Sequence, residues 1–351
     1  MVRRTLWAAL ALTPLVVAAR FALGWGDTTL FVLAALALVP LAWLIGEATE
    51  HAAEYTGPGV GGFLNASFGN APELIITLFA VADGLTAVVR GSITGSIVSN
   101  ILLVLGFAVV IAPPSEIDRR SMMSNLGLVA FAVLLFLVPA VPGFHGDPDR
   151  RSLALLTVPV ALVLLGVYAV VTFRSLRRHS REYDAAGHEP DPRGWSLALA
   201  LATLAIATGG TAIVSEILVH SLEAFAHAAH LSEFFIAAVI VAIVGNAAEH
   251  GGAVVIASRG KMKLASEIAV SSSAQVALFV APAIALLSWL LTPLALSFRP
   301  IELATMGAAA ALVGLAALDG STRRWEGALL IGMYVAVAAS YWWVGDRVVP
   351  R

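Results

Sequence analysis

Eleven stretches of about twenty mostly apolar residues divide this chain, each long enough to cross a bilayer as a helix. They lie near residues 5–23, 29–54, 63–87, 91–111, 121–139, 152–173, 196–226, 231–257, 264–291, 299–318 and 325–345. Hydrophobic residues make up 59% of the chain and charged residues 13%, too few charges to clothe a water-soluble surface. An all-α integral membrane protein is expected, whose partner is the lipid bilayer. The first stretch, "MVRRTLWAALALTPLVVAARFAL", has the charged start of a signal peptide but no convincing cleavage site, so it reads as the first helix. The absence of cysteine excludes disulfides and thiolate metal sites. A net charge of -2 without a basic tract gives no reason for a nucleic-acid partner.

Two of the stretches carry the same pentapeptide pattern. Shifting the numbering by 176 superposes Gly69-Asn70-Ala71-Pro72-Glu73 on Gly245-Asn246-Ala247-Ala248-Glu249, and also Ser96 on Ser272 and Ser99 on Gln275. A repeat of five helices is odd, so successive copies enter the membrane from opposite sides. The expected architecture is one plus five plus five helices with inverted-topology repeats. Its parts are a first helix outside the repeats (1–28), a first repeat (29–173), a polar linker (174–195) and a second repeat (196–351).

Orientation follows from basic residues. With the N-terminus inside, 14 of the 21 Lys and Arg fall in inner segments, among them Arg119, Arg120, Lys261, Arg323 and Arg324. Seven fall outside, including Arg90 and Arg299. That bias puts the N-terminus and the linker in the cytoplasm and the C-terminus outside.

A charge in the centre of a membrane helix costs about 2.5–3.5 kcal/mol on insertion scales, so Glu73 and Glu249 require compensation. Neither span offers Lys or Arg; a bound cation or a proton is the remaining partner. Asn70 with Glu73, and Asn246 with Glu249, are three apart and should share a helix face. Gly69 and Gly245 should loosen the helix there and release backbone carbonyls, which is tolerated where the chain lines a cavity. The result is an all-oxygen donor set suited to hard cations such as Ca²⁺. Ser96, Ser99, Asn100, Ser272 and Gln275 are expected as polar flanks. Glu47, Glu50, His51 and Glu54 form one stripe; Glu47 and Glu54 read as a solvated helix end, whereas Glu50, like Glu216, could pass protons. His250 could share a proton with Glu249 or simply pack, and both readings stand. No zinc-protease signature or activated nucleophile is present, so neither an enzyme nor a cofactor is expected.

The stretches "GEATE", "GGFLNASFGNAPELI", "GSIVSNILLVLG", "GNAAEHGGAV" and "SSSAQVALFVAP" resemble the calcium/proton exchangers of the Ca²⁺/cation antiporter superfamily. The resemblance implies Ca²⁺ bound near the midplane between the third and eighth helices, with Glu73 and Glu249 as principal acids, Asn70 and Asn246 beside them, and Glu50 and Glu216 linked to proton movement. Ser99 and Gln275 match polar residues beside the site. Many relatives carry an acidic linker; here Glu182, Asp184, Glu189 and Asp191 mix with five arginines, so calcium sensing by the linker is not expected. The expected activity is exchange of Ca²⁺ for H⁺ by alternating access, in a prokaryotic cell membrane. Sodium coupling, transport of Mn²⁺ or Cd²⁺, and a cation channel are the alternatives.

Overall fold

Where the bilayer supplies no water, backbone N–H and C=O groups must pair within the chain, and the helix does this locally. The structure, a computed structural model, describes residues 2–113, 115–186 and 194–346. Its helices are α1 (Val2–Ala9), α2 (Leu12–Phe21), α3 (Asp27–Phe68), α4 (Ala71–Ala82), α5 (Thr86–Ile111), α6 (Arg119–Gly143) and α7 (Arg151–Ala186). There follow α8 (Leu197–Ala229), α9 (Glu233–Gly245), α10 (Ala247–Ser258), α11 (Met262–Leu290), α12 (Pro300–Asp319) and α13 (Arg324–Val344). Two short strands, β1 (Ser115–Glu116) and β2 (Ser321–Thr322), pair antiparallel.

The all-α membrane class holds: nine spans among the described residues are long and apolar enough to cross a membrane, and a tenth is the bent pair α9–α10. The second and third expected helices are drawn differently. The loop expected after residue 54 is helical, and α3 runs unbroken for 42 residues. At about 1.5 Å per residue it is about 63 Å long, twice the hydrocarbon thickness of about 30 Å. Gly57-Pro58-Gly59 reads as punctuation, yet the helical backbone continues through it. The break comes instead at Gly69 and Asn70, leaving α4 only 12 residues. The linker begins as the end of α7; residues 187–193 lie outside the described residues.

Compactness groups the chain into two units that each draw on both halves. The first holds Met1–Phe79, Gly166–Ala228 and Val244–Ala248. In it Leu44, Ile45 and Ala48 of α3 pack on Leu204 and Ala207 of α8, and Phe31 stacks on Phe225 at 4.3 Å.

The second unit holds Ala80–Leu165, Ala229–Ile243 and Glu249–Arg351. Here α5 crosses α9 so closely that a methyl on Gly95 would collide with the Ala238 carbonyl. α5 also crosses α11: Ser273 Oγ donates to the Ile97 carbonyl at 3.1 Å, and these two residues are 176 apart, the shift that relates the repeats. Contact between equivalent positions is what a two-fold relation between the helices produces. Both helices widen into π-helical turns just beyond the crossing, at Ser99–Val104 and Val276–Val280.

Arg90 and Arg299, expected in outer loops, are 4% and 8% exposed. Arg90 bonds Asp149 at 2.6 Å and Thr86 at 3.1 Å; Arg299 lies 3.8 Å over the Phe234 ring and donates to the Gly345 carbonyl at 2.7 Å. A paired guanidinium can be withdrawn from water, so a position near a span end does not by itself imply exposure.

Candidate functional site

Both copies of the repeated motif interrupt a helix at the same place. α3 ends at Phe68 and α4 begins at Ala71; α9 ends at Gly245 and α10 begins at Ala247, with a bend of 59°. The asparagine therefore sits at the start of a new helix and the glutamate in its first turn, rather than both within one continuous helix. Asn followed three residues later by Glu is a helix-start spacing, a signal in the sequence that locates both breaks. Pro72 fits this reading, since the first turn needs no N–H from it.

Energetics then constrain what the acids can do. A carboxylate in a helix's first turn gains at most about 2 kcal/mol from the peptide dipoles. That is less than the insertion cost of about 2.5–3.5 kcal/mol. The shortfall must be met by hydrogen bonds, a proton or a cation.

In the first unit Glu73 is 3% exposed and Asn70 1%. A Cβ built on Gly245 would stand 3.3 Å from Glu73 Oε1, so the acid of the first motif reaches the glycine of the second. Gly245 ends α9, where C=O groups lack partners within their own helix. The carboxylate is thus brought against the last residue of α9, with Asn246 buried beside the break at 2% exposure. Thr77, which the sequence reading passed over, donates from Oγ1 to the Glu73 carbonyl at 2.5 Å. Its position one turn after the acid was the available signal.

In the second unit the acid belongs to a ring of hydrogen bonds. Ser272 Oγ donates to Glu249 Oε2. Asn100 Nδ2 donates to Ser272 Oγ at 2.9 Å, and Asn100 Oδ1 lies 2.8 Å from His250 Nε2. An amide oxygen only accepts, so His250 carries its proton on Nε2. His250 adjoins Glu249 in the chain, which closes the ring. Ser96 and Ser99 are buried on α5, with Ser99 Oγ donating to the Ser96 carbonyl at 3.3 Å, while Gln275 is half-buried on α11.

The remaining predicted residues make other contacts or none. Glu50 on α3 and Glu216 on α8 are exposed and make no hydrogen bond or ion pair among the described residues. Glu47 pairs with Arg3 at 2.6 Å, and His51 stands 3.9 Å from Glu47 and 3.7 Å from Glu54, stacked on Trp195 at 4.9 Å. Gly69, half-buried, forms the turn with Asn70.

A family profile described as "Sodium/calcium exchanger protein" matches residues 27–177 and 199–343. The chain is 38% identical to a protein of Synechocystis sp. named "Ca(2+)/H(+) antiporter", over 95% of each. It is 37% identical to "Ca(2+)/H(+) antiporter ChaA" of Bacillus subtilis, over 90% of this chain and 93% of that one. Among solved structures, native YfkE superposes with a TM-score of 0.81 at 34% identity, covering 95% of this chain and 98% of that one.

Proposed function

The chain belongs to the sodium/calcium exchanger protein family, and from this membership and its two motif acids we infer that it is an antiporter exchanging Ca²⁺ for H⁺. The observation that carries the reading is the Glu73 carboxylate packed on Gly245 at the end of a broken helix, without Lys or Arg in the motif helices.

The mechanism is competition. Glu73 and Glu249 serve the transported cation, with Asn70, Asn246 and the carbonyls released at Gly69 and Gly245 as further oxygens. Ionised and empty, these acids are too costly to carry through a state closed to water. The protein changes its facing only when they are neutralised by Ca²⁺ or by protons. Release of one cargo is then the condition for taking the other, and a proton gradient drives calcium uphill. Ser272, Asn100 and His250 hold Glu249, with Ser96, Ser99 and Gln275 flanking; Glu50 and Glu216, exposed on the first unit, exchange protons with water. The protein acts as a transporter, not an enzyme.

We place it in a prokaryotic cell membrane with the N-terminus and the 174–195 linker cytoplasmic and the C-terminus outside, a placement supported by the count of 14 against seven basic residues. The test is flux in everted vesicles: an imposed pH gradient should drive ⁴⁵Ca²⁺ uptake that a protonophore abolishes. Uptake that instead follows a sodium gradient and ignores protonophore would reject proton coupling.

A further inference from the structure

One end of the second unit carries a concentration of positive charge that cation transport does not use. Three connections meet there. β1 and β2 pair Ser115 with Thr322 and Glu116 with Ser321, and the first turn of α11 joins them through Lys263 Nζ, 3.4 Å from Glu116. Ser121 Oγ on α6 donates to Glu267 on α11 at 3.3 Å, fastening the same end. Arg119 and Arg120 follow β1; Arg323 and Arg324 follow β2. Arg259, Lys261 and Lys263 line the turn beside them.

The acids of this end are engaged locally. Asp118 accepts from the backbone N–H of Arg120 and Ser121, and Glu326 from that of Arg323. Asp319 accepts from Ser321 and pairs with Arg323 at 3.6 Å. Arg119, Arg120, Arg259, Lys261 and Arg324 are exposed and make no ion pair among the described residues. Next to them opens a cleft of about 500 Å³ lined by Ser115, Glu116, Gly260, Lys261, Lys263 and Leu264, with Met262 at its base.

Exposed cations repel Ca²⁺, so this surface suits an anion. Its level in the membrane says which kind. The connections directly follow apolar spans that end at Ile111, Ser258 and Asp319, which sets them at headgroup depth. Trp325, 60% exposed, and Leu264, 46% exposed, add apolar surface beside the charges, and an indole next to basic residues is the composition of a membrane interface. We propose that this end of the second unit binds the headgroup of an anionic phospholipid, with the phosphate at Lys261 and the neighbouring arginines and the acyl chains along Leu264 and Trp325.

The test is native mass spectrometry of the purified full-length chain titrated with phosphatidylglycerol or phosphatidylcholine. Phosphatidylglycerol should be retained preferentially. Since each basic residue near a membrane surface contributes about fivefold in affinity, the variant Arg119→Gln/Arg120→Gln/Lys261→Gln/Arg324→Gln should lose on the order of several hundredfold. It should keep its calcium flux in phosphatidylcholine liposomes, which certifies its fold; if it does not fold, the pairs Arg119→Gln/Arg120→Gln and Lys261→Gln/Arg324→Gln are titrated separately. Equal retention of the two lipids, or variants that bind like the parent, overturns the proposal. So does complete displacement of the lipid by glycerol 3-phosphate at the lipid's own affinity, which would make the ligand a soluble phosphate.

Discussion

The two Gly-Asn-Ala-x-Glu copies begin as the same local structure and end with different surroundings. Each breaks a helix and starts another with its acid in the first turn. Glu73 is nearly inaccessible and packs against Gly245, whereas half-buried Glu249 is held by Ser272 in a ring that includes Asn100 and His250. The difference lies in the flanks. Position 250 is His where position 74 is Leu, and position 100 is Asn where position 276 is Val. The break and the carboxylate occur in both copies, and the Asn100–His250 pair in one. What makes a site is conserved between the copies; what tunes an acid is not.

The largest expected effect treats the copies alike. Glu73→Gln or Glu249→Gln should each lower proton-driven ⁴⁵Ca²⁺ uptake by at least about a hundredfold, because affinity for a hard divalent cation depends on the charge of its ligands. Uptake that survived either change would break the equivalence of the two acids.

Acidity comes next. Since carboxylates must lose protons to take the metal, the apparent Ca²⁺ affinity should weaken by about tenfold per pH unit for each proton displaced. Calorimetric Ca²⁺ titration across pH reads this slope, and a flat profile would contradict competition.

Gly245→Ala probes the approach of the first acid to the second motif. The new methyl would stand 3.3 Å from Glu73 Oε1, so the carboxylate must shift by a few tenths of an ångström. Apparent Ca²⁺ affinity should fall about tenfold, with maximal rate less affected. Unchanged affinity would show that the acid does not depend on this approach.

Asn100→Val and His250→Leu convert the second copy toward the first. Each alone strands a buried polar partner at a cost of about 1–3 kcal/mol, and the double variant should lose less than the sum of the singles. Thermal stability in detergent measures the cycle; additive losses would mean that the ring does not act as a unit. Smallest of all, Thr77→Val removes a hydroxyl bonded to a backbone carbonyl and should change uptake by no more than about twofold.

Several features were legible before any coordinates. Apolar runs of bilayer length and a scarcity of charge leave a helical membrane protein as the outcome, because hydrocarbon tolerates neither unpaired backbone nor unpaired charge. The 176-residue shift exposed the duplication, and the contact of Ser273 with Ile97 expresses it in space. The interruption at Gly69 was legible too, in the glycine and the Asn-x-x-Glu spacing, whereas the loop expected between residues 54 and 63 is helical.

Tertiary structure decided the partners. Asn100 meets His250 and Ser272 across 150 and 172 residues, and buried Arg90 is drawn from a supposed loop into a pair with half-buried Asp149 across 59. Hydropathy reports how each residue partitions between water and lipid, one position at a time, and so it identifies a carboxylate that needs compensation. Which distant group compensates it depends on how helices cross, and crossing is set by close approaches such as Gly95 on Ala238 that no local pattern contains.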